Sequence, residues 1–128
     1  MLRAGLARLE ELKRTVPNVR VEISGDQRAH RGDRVVEIGC GPQGCLELLS
    51  SRVGPTGSVV GVELNDHAVQ LAREFVLERG INNVEVRQGD AAATGLPRSQ
   101  FDLAMARLVL VNVPEPERIV SEMAALVK

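Results

Sequence analysis

The hydrophobic pattern divides the chain at a polar loop. Before it, Leu2, Leu6, Leu9, Leu12 and Val16 recur at helical spacing with Arg, Glu and Lys between them, and Pro17 ends the run. This predicts an amphipathic helix whose apolar stripe must pack on something. Val19, Val21 and Ile23 then alternate with Arg20 and Glu22, a period of two that fits a short strand or an extended connector. The polar run 24–33, with Gly25 and Gly32, reads as a loop and sets an N-terminal arm, 1–33, apart from a core at 34–128.

From Arg34 onward, short apolar runs alternate with helical patterns, the sequence form of repeated βαβ units on a parallel sheet. The runs 34–38, 58–63, 84–88 and 101–106 are rich in Val, Ile and Leu and hold no proline, so they are predicted as the first to fourth strands of this unit. Between them, 46–52 reads as a short helix and 67–79 as a longer one, with Asp66 as N-cap and Gly80 as its stop. A last helix starts near Pro116 and turns Ile119, Val120, Met123, Ala124 and Val127 toward the sheet. The predicted fold class is α/β, a doubly wound parallel sheet with helices on both faces.

Composition narrows the partners. A length of 128 residues fits one domain, and apolar and charged fractions of 44% and 26% sit at the averages for globular proteins. A formal net charge of -1 gives no electrostatic footprint for nucleic acid or an anionic membrane. No stretch approaches the roughly 18 apolar residues of a membrane span, and the N-terminus lacks a continuous apolar leader core. The expectation is a cytoplasmic protein acting on a small molecule, with neither nucleic acid nor membrane as partner. Cys40 and Cys45 have no second Cys pair and no clustered His near them, so they are expected to be reduced thiols, with no disulfide and no metal site.

Candidate chemistry concentrates where the first strand runs into Gly39-Cys40-Gly41-Pro42-Gln43-Gly44 and then a helix. Glycines let a backbone turn at positive φ and approach a ligand closely, while free N–H groups at a helix start attract negative charge. Gly39, Gly41 and Gly44 satisfy G-x-G-x-x-G, and Glu63 lies at the right distance for a ribose contact, so a nicotinamide dinucleotide is one reading. Three features favour another. Glu37 sets a carboxylate at the mouth of the loop, where it repels a pyrophosphate and attracts an ammonium or sulfonium. Pro42 removes an N–H donor that phosphates would use. The long arm also departs from dinucleotide folds, which often begin near the first strand.

The run Glu37-Ile38-Gly39-Cys40-Gly41-Pro42 resembles motif I of the class I, Rossmann-like, S-adenosylmethionine-dependent methyltransferases. Gly61-Val62-Glu63-Leu64, Gly89-Asp90-Ala91 followed by Leu96-Pro97, Phe101-Asp102-Leu103, and the segment from Arg107 to Pro116 resemble the later motifs in the same order. The resemblance covers about three quarters of the chain. It implies S-adenosylmethionine as cofactor, a small-molecule methyl acceptor, and a sheet in which the four predicted strands lie in the order 3-2-1-4. It also implies binding roles: Glu37 toward the amino-acid end, the backbone of Gly39, Cys40 and Gly41 in close approach, Glu63 and Leu64 at the ribose, and Asp90 and Ala91 at the adenine. Arg107 would meet the cofactor's carboxylate or a substrate, or form a surface ion pair. Methyl transfer from a sulfonium needs alignment above all, so no catalytic base is assigned.

Simpler roles compete with these: Glu37 could cap the loop's own N–H groups, and Asp90 the turn at 91–93. Gln43 stands where the family commonly has glycine, with Gly44 placed to share that task. The chain also stops where the family normally adds three more strands, so it reads as truncated after the fourth strand. That would leave the fourth strand as an apolar edge, to be covered by a second copy in a homodimer, the favoured version, covered by the arm, or left open to water, with the period-two segment 19–23 able to supply the covering strand within the chain or exchanged between two copies. The alternatives in function are a non-catalytic S-adenosylmethionine-binding module or partner subunit, and a fragment of a NAD-dependent oxidoreductase.

Overall fold

The computed structural model describes residues 18–20, 28–106 and 115–128. The predicted helix before Pro17, Val21, Ile23 and Arg107 lie outside the described residues. In chain order the elements are β1 (Val19–Arg20), β2 (Arg34–Ile38), α1 (Leu46–Val53), β3 (Ser58–Glu63), α2 (Asp66–Glu78), β4 (Val84–Gln88), β5 (Leu103–Ala106) and α3 (Pro116–Leu126).

The strands form one sheet in the order β1-β5-β2-β3-β4, every pair parallel. The four strands expected from the pattern therefore take the order 3-2-1-4, with β1 added outside the fourth. Strand alternation sends Val36, Ile38, Val62, Ala104 and Ala106 to one face, where Ile119, Val120, Met123 and Leu126 of α3 cover them. Val35, Val59, Val86, Leu103 and Met105 point to the other face, under Leu46 and Leu49 of α1 and Val69, Ala72 and Val76 of α2. Burial on both faces explains why β2 and β5 read as near-continuous apolar runs, whereas the outer β4, buried only at Val86, alternates.

Helix α2 ends at Glu78, one residue short of expectation, and α3 ends at Leu126 with Val127 extended beyond it; three further boundaries differ for identifiable reasons. β5 starts at Leu103 rather than Phe101, because the chain end takes Phe101's backbone: Phe101 N–H donates to Leu126 O at 3.0 Å and Lys128 N–H to Phe101 O at 2.9 Å. Phe101 keeps only an isolated parallel bridge, to Val127. The N-cap of α2 is Asn65, not Asp66; its side chain accepts from Ala68 N–H at 2.9 Å, and Asp66 becomes the first helical residue, where its charge favours the positive helix end. Helix α1 runs one residue further, to Val53, and stops at Gly54 with φ +70°.

The outer edge of β5 is occupied from within the chain. Val19 pairs with Ala104 and Arg20 with Met105, Ala104 N–H donates to Asn18 O at 2.9 Å, and Val19 is fully buried. The period-two segment of the arm thus supplies the covering strand that the favoured dimer would have drawn from a second copy. Among the described residues, no helix is long and apolar enough to cross a membrane.

Candidate functional site

The carboxyl ends of β2, β3 and β4 carry the residues singled out in the sequence, at the position where open α/β sheets place their ligands. After Ile38 the chain stays hooked to β3, with Gly39 N–H donating to Val62 O at 2.7 Å and Cys40 N–H to the same oxygen at 3.2 Å. Gly39, Gly41 and Gly44 all adopt positive φ, +69°, +62° and +50°, so the turn uses all three glycines.

Glu37 lies beneath this turn, 1% exposed, and both of its carboxylate oxygens accept from Cys45 N–H, at 3.0 and 3.2 Å. Cys45 is the N-cap residue of α1 and makes no side-chain capping bond, so the carboxylate supplies the anionic cap to the helix start. Of the two roles weighed for Glu37, the geometry places the carboxylate in the capping one. Gly44 is what allows it. A Cβ on Gly44 would sit 2.5 Å from Cys40 O and 2.6 Å from Glu37 Oε1. The close packing expected of the family's glycine at position 43 therefore belongs to Gly44, while Gln43 is exposed. Gly61 serves the same end from β3, since a Cβ there would come within 3.0 Å of Cys40 Sγ and Leu46 Cδ2.

Glu63 ends β3 and ties the loop across it. Its Oε1 accepts from Gly41 N–H at 2.9 Å and its Oε2 from Asn65 N–H at 2.9 Å. A carboxylate offers about four lone-pair positions, so each oxygen keeps room for one further donor. Gly41 is open on its outer side, where a Cβ would meet nothing within 4 Å. Leu64, next along, is 67% exposed and presents an apolar surface at the same rim. An acceptor pair, an open backbone and an apolar platform together fit a sugar diol with a flat ring beside it.

Gly89 N–H donates to Glu63 O at 3.0 Å and so brings the end of β4 to this rim. Asp90 is exposed; its Oδ1 accepts from Ala92 N–H at 2.8 Å and its backbone O from Ala93 N–H at 3.0 Å. That is the capping role weighed for Asp90, and it engages one carboxylate oxygen. Ala91 is half-buried against the core under α3. The structure therefore gathers Glu37, Gly39, Cys40, Gly41, Glu63, Leu64, Asp90 and Ala91 at one end of the sheet.

Cys40 is 3% exposed, and its thiol is pushed up to about 12 from 9.0, by burial first and then by the negative charges of Glu37 and Glu63. It contributes backbone, not a nucleophile. At pH 8 a thiol at 9.0 is about 10% ionised and one at about 12 is about 0.01% ionised, so alkylation of Cys40 in the folded chain should be slower by about three orders of magnitude than in the unfolded chain. Time-resolved alkylation read by mass spectrometry checks this, and equal rates in the two states would refute it. Among the described residues no group of three or more His, Cys, Asp or Glu is placed to hold a metal.

One buried carboxylate escaped the sequence reading. Glu122 of α3 is 6% exposed and binds Thr94 and Arg98. The helical spacing carried a signal for it, because Glu122 lies between Ile119 and Met123 on the stripe that faces the sheet.

A parallel doubly wound sheet with a glycine turn after its first core strand and an acid ending the next defines a Rossmann-like cofactor-binding domain. The family model described as "Methyltransferase domain" matches residues 29–128. The chain belongs to that family, whose cofactor is S-adenosylmethionine, and this decides between the two cofactor readings that the glycine loop left open. It is 43% identical over 95 residues to a phosphatidylethanolamine N-methyltransferase of Cereibacter sphaeroides, covering 73% of this chain and 45% of the relative. An aklanonic acid methyltransferase of a Streptomyces is 34% identical over 84 residues, covering 66% and 38%. The crystal structure of a SAM-dependent methyltransferase from Aquifex aeolicus superposes with a TM-score of 0.73 at 27% identity, over 77% of this chain and 53% of that one. The cyclase SpnF superposes with a TM-score of 0.71 at 26% identity, over 80% and 38%. The chain thus spans less than half of the length of these two sequence relatives.

Proposed function

We propose that this chain supplies the cofactor-binding part of a methyltransferase that acts on a small-molecule acceptor in the cytoplasm, with residues 1–33 as an arm and 34–128 as the binding unit. The observation that carries the cofactor's placement is Glu63: a carboxylate at the end of β3, already bonded to the glycine turn and with an acceptor position left on each oxygen. Those positions suit two ribose hydroxyls, with Leu64 beside the sugar. Asp90 and Ala91 then face the adenine, and Gly39, Cys40 and Gly41 line the path toward the amino-acid end.

Glu37 acts from below, holding the turn in shape and lending negative potential to the end that carries an ammonium and a sulfonium. Arg107 follows β5 in sequence and is the candidate to meet the cofactor's carboxylate. The cofactor brings an already activated methyl group, so the chain's task is to hold and orient it and to exclude water, effects that in well-aligned systems contribute about 7–11 kcal/mol. Support for a small acceptor comes from the sequence relatives named for phosphatidylethanolamine and aklanonic acid.

Calorimetric titration tests the reading. S-adenosylhomocysteine should bind saturably at one site and NAD should not; binding of NAD, or no binding of S-adenosylhomocysteine, would overturn it. A second reading, a cofactor-holding module that transfers no methyl group, is favoured by the likeness to a cyclase, because a shared fold does not fix the reaction. Tight binding without methyl transfer to any of a panel of small lipophilic amines, phenols and acids would select it.

A further inference from the structure

Glu122 stands where helical spacing calls for an apolar residue, three positions after buried Ile119 and four before buried Leu126. An apolar side chain would pack there at no electrostatic cost, whereas a carboxylate must be fully bonded to be tolerated. It is bonded on the 94–98 segment. One oxygen, Oε2, accepts from Thr94 N–H at 3.0 Å, from Thr94 Oγ1 at 2.7 Å and from Arg98 Nη1 at 2.7 Å. Thr94 Oγ1 also accepts from Leu96 N–H at 3.2 Å, and Leu96 is itself buried in the core under α3. Burial alone would raise the Glu122 carboxyl; the bonds from Arg98 and Thr94 outweigh it and hold the group below the usual glutamate range, so it stays charged at neutral pH.

This carboxylate therefore fixes one end of a short turn whose other end is Asp90. Within that turn Asp90 Oδ1 accepts from Ala92 N–H, Asp90 and Ala93 form an antiparallel bridge, and Thr94 follows directly. The lever is short: a shift of Thr94 passes through Ala93 to the bridge that orients Asp90.

We propose that Glu122 is a positioning residue for base recognition: by clamping Thr94 to α3 it sets the 90–94 turn so that Asp90 and Ala91 select adenine over other purines. This rests on the assignment of Asp90 to the adenine made above.

The test compares dissociation constants of S-adenosylhomocysteine and S-inosylhomocysteine, which carries hypoxanthine for adenine, on the full chain. The unsubstituted protein should favour the adenine ligand by about 10-fold or more, from one hydrogen bond to a charged acceptor. Asp90→Ala should remove most of that preference. Glu122→Gln and Thr94→Val should each cut it by about threefold or more. A role in stability alone would weaken both ligands equally and leave their ratio unchanged. If Glu122→Gln fails to fold, Thr94→Val decides, since it leaves the Glu122–Arg98 pair in place.

A collapsed ratio in Asp90→Ala with unchanged ratios in the other two overturns the positioning role and leaves the cofactor reading standing. An unchanged ratio in Asp90→Ala, or no preference in the unsubstituted protein, overturns the adenine assignment and this inference with it. No binding of either ligand overturns the cofactor reading as a whole.

Discussion

Gly44→Ala should destabilise the chain by about 3–5 kcal/mol and abolish cofactor binding. Three effects act together. The residue sits at φ +50°, a conformation that costs a non-glycine residue about 1 kcal/mol or more. The new Cβ would lie 2.5 Å from Cys40 O, which is backbone held by the hook to Val62, and 2.6 Å from Glu37 Oε1. Neither neighbour can retreat cheaply. Pushing the carboxylate away also weakens its bonds from Cys45 N–H, and hydrogen bonds to a charged group contribute about 1.5–3 kcal/mol. Since domains are stable by only about 5–15 kcal/mol, the loss is a large share of the whole. Thermal unfolding should move down by about 10–20 °C, at a few degrees per kcal/mol. Gln43→Gly, at the exposed neighbour, should change the melting temperature by no more than about 2–3 °C. The reverse order of the two variants would show that position 43 carries the close packing.

The parts of the fold that were legible in the sequence are those fixed by local burial. β2, β3 and β4 fall on the residues that the apolar runs marked: β2 and much of β3 are buried, the outer β4 buries Val86 alone and shows the alternation of a one-sided strand, and each is bounded by a turn. Phe101 was placed in a strand because its apolar character fits one; what removed it was a competitor for its backbone, the returning chain at Leu126 and Lys128. Asp66 lost the N-cap to its neighbour because two good cap residues stand side by side, and only the backbone angle at Asn65, φ -75° and ψ 116°, separates them. The arm's segment 19–23 was legible as a candidate cover for the β5 edge, but whether it pairs within the chain or across two copies was not. A period-two segment declares that it pairs, not with what; Val19 and Arg20 pair within the chain.

In the site, residue types were legible and directions were not. A glutamate two residues before a glycine turn reads as a ligand contact or as a cap, and the geometry that separates them is a long-range one: the turn must fold back far enough to bring Cys45 N–H onto the carboxylate. The same holds for Asp90, where one oxygen is spent on the turn and the other side is exposed. Glu122 went unnoticed because it sits among apolar neighbours of a helix read for its stripe, and its partner Thr94 is 28 residues away.

Glu63→Ala should weaken S-adenosylhomocysteine binding by roughly 10- to 100-fold while leaving the chain folded. Hydrogen bonds to a charged acceptor contribute about 1.5–3 kcal/mol, and each 1.4 kcal/mol is about tenfold in affinity. The substitution also removes the acceptor of Gly41 N–H and Asn65 N–H, so the glycine turn loses an anchor as well as the ligand losing a partner. The cost to stability stays small, about 1 kcal/mol, because Glu63 is half-buried and Asn65 exposed, and water can take over both N–H groups. Glu63→Gln separates the two contributions. Its one remaining carbonyl oxygen can accept from one turn N–H and one ribose hydroxyl, while its amide nitrogen accepts from neither, so its affinity should fall between those of the parent and Glu63→Ala, with little change in melting temperature. Circular dichroism establishes that each variant is folded, and calorimetry gives the affinities. A folded Glu63→Ala protein that binds S-adenosylhomocysteine as tightly as the parent would remove Glu63 from the ribose and leave it as an anchor of the turn alone.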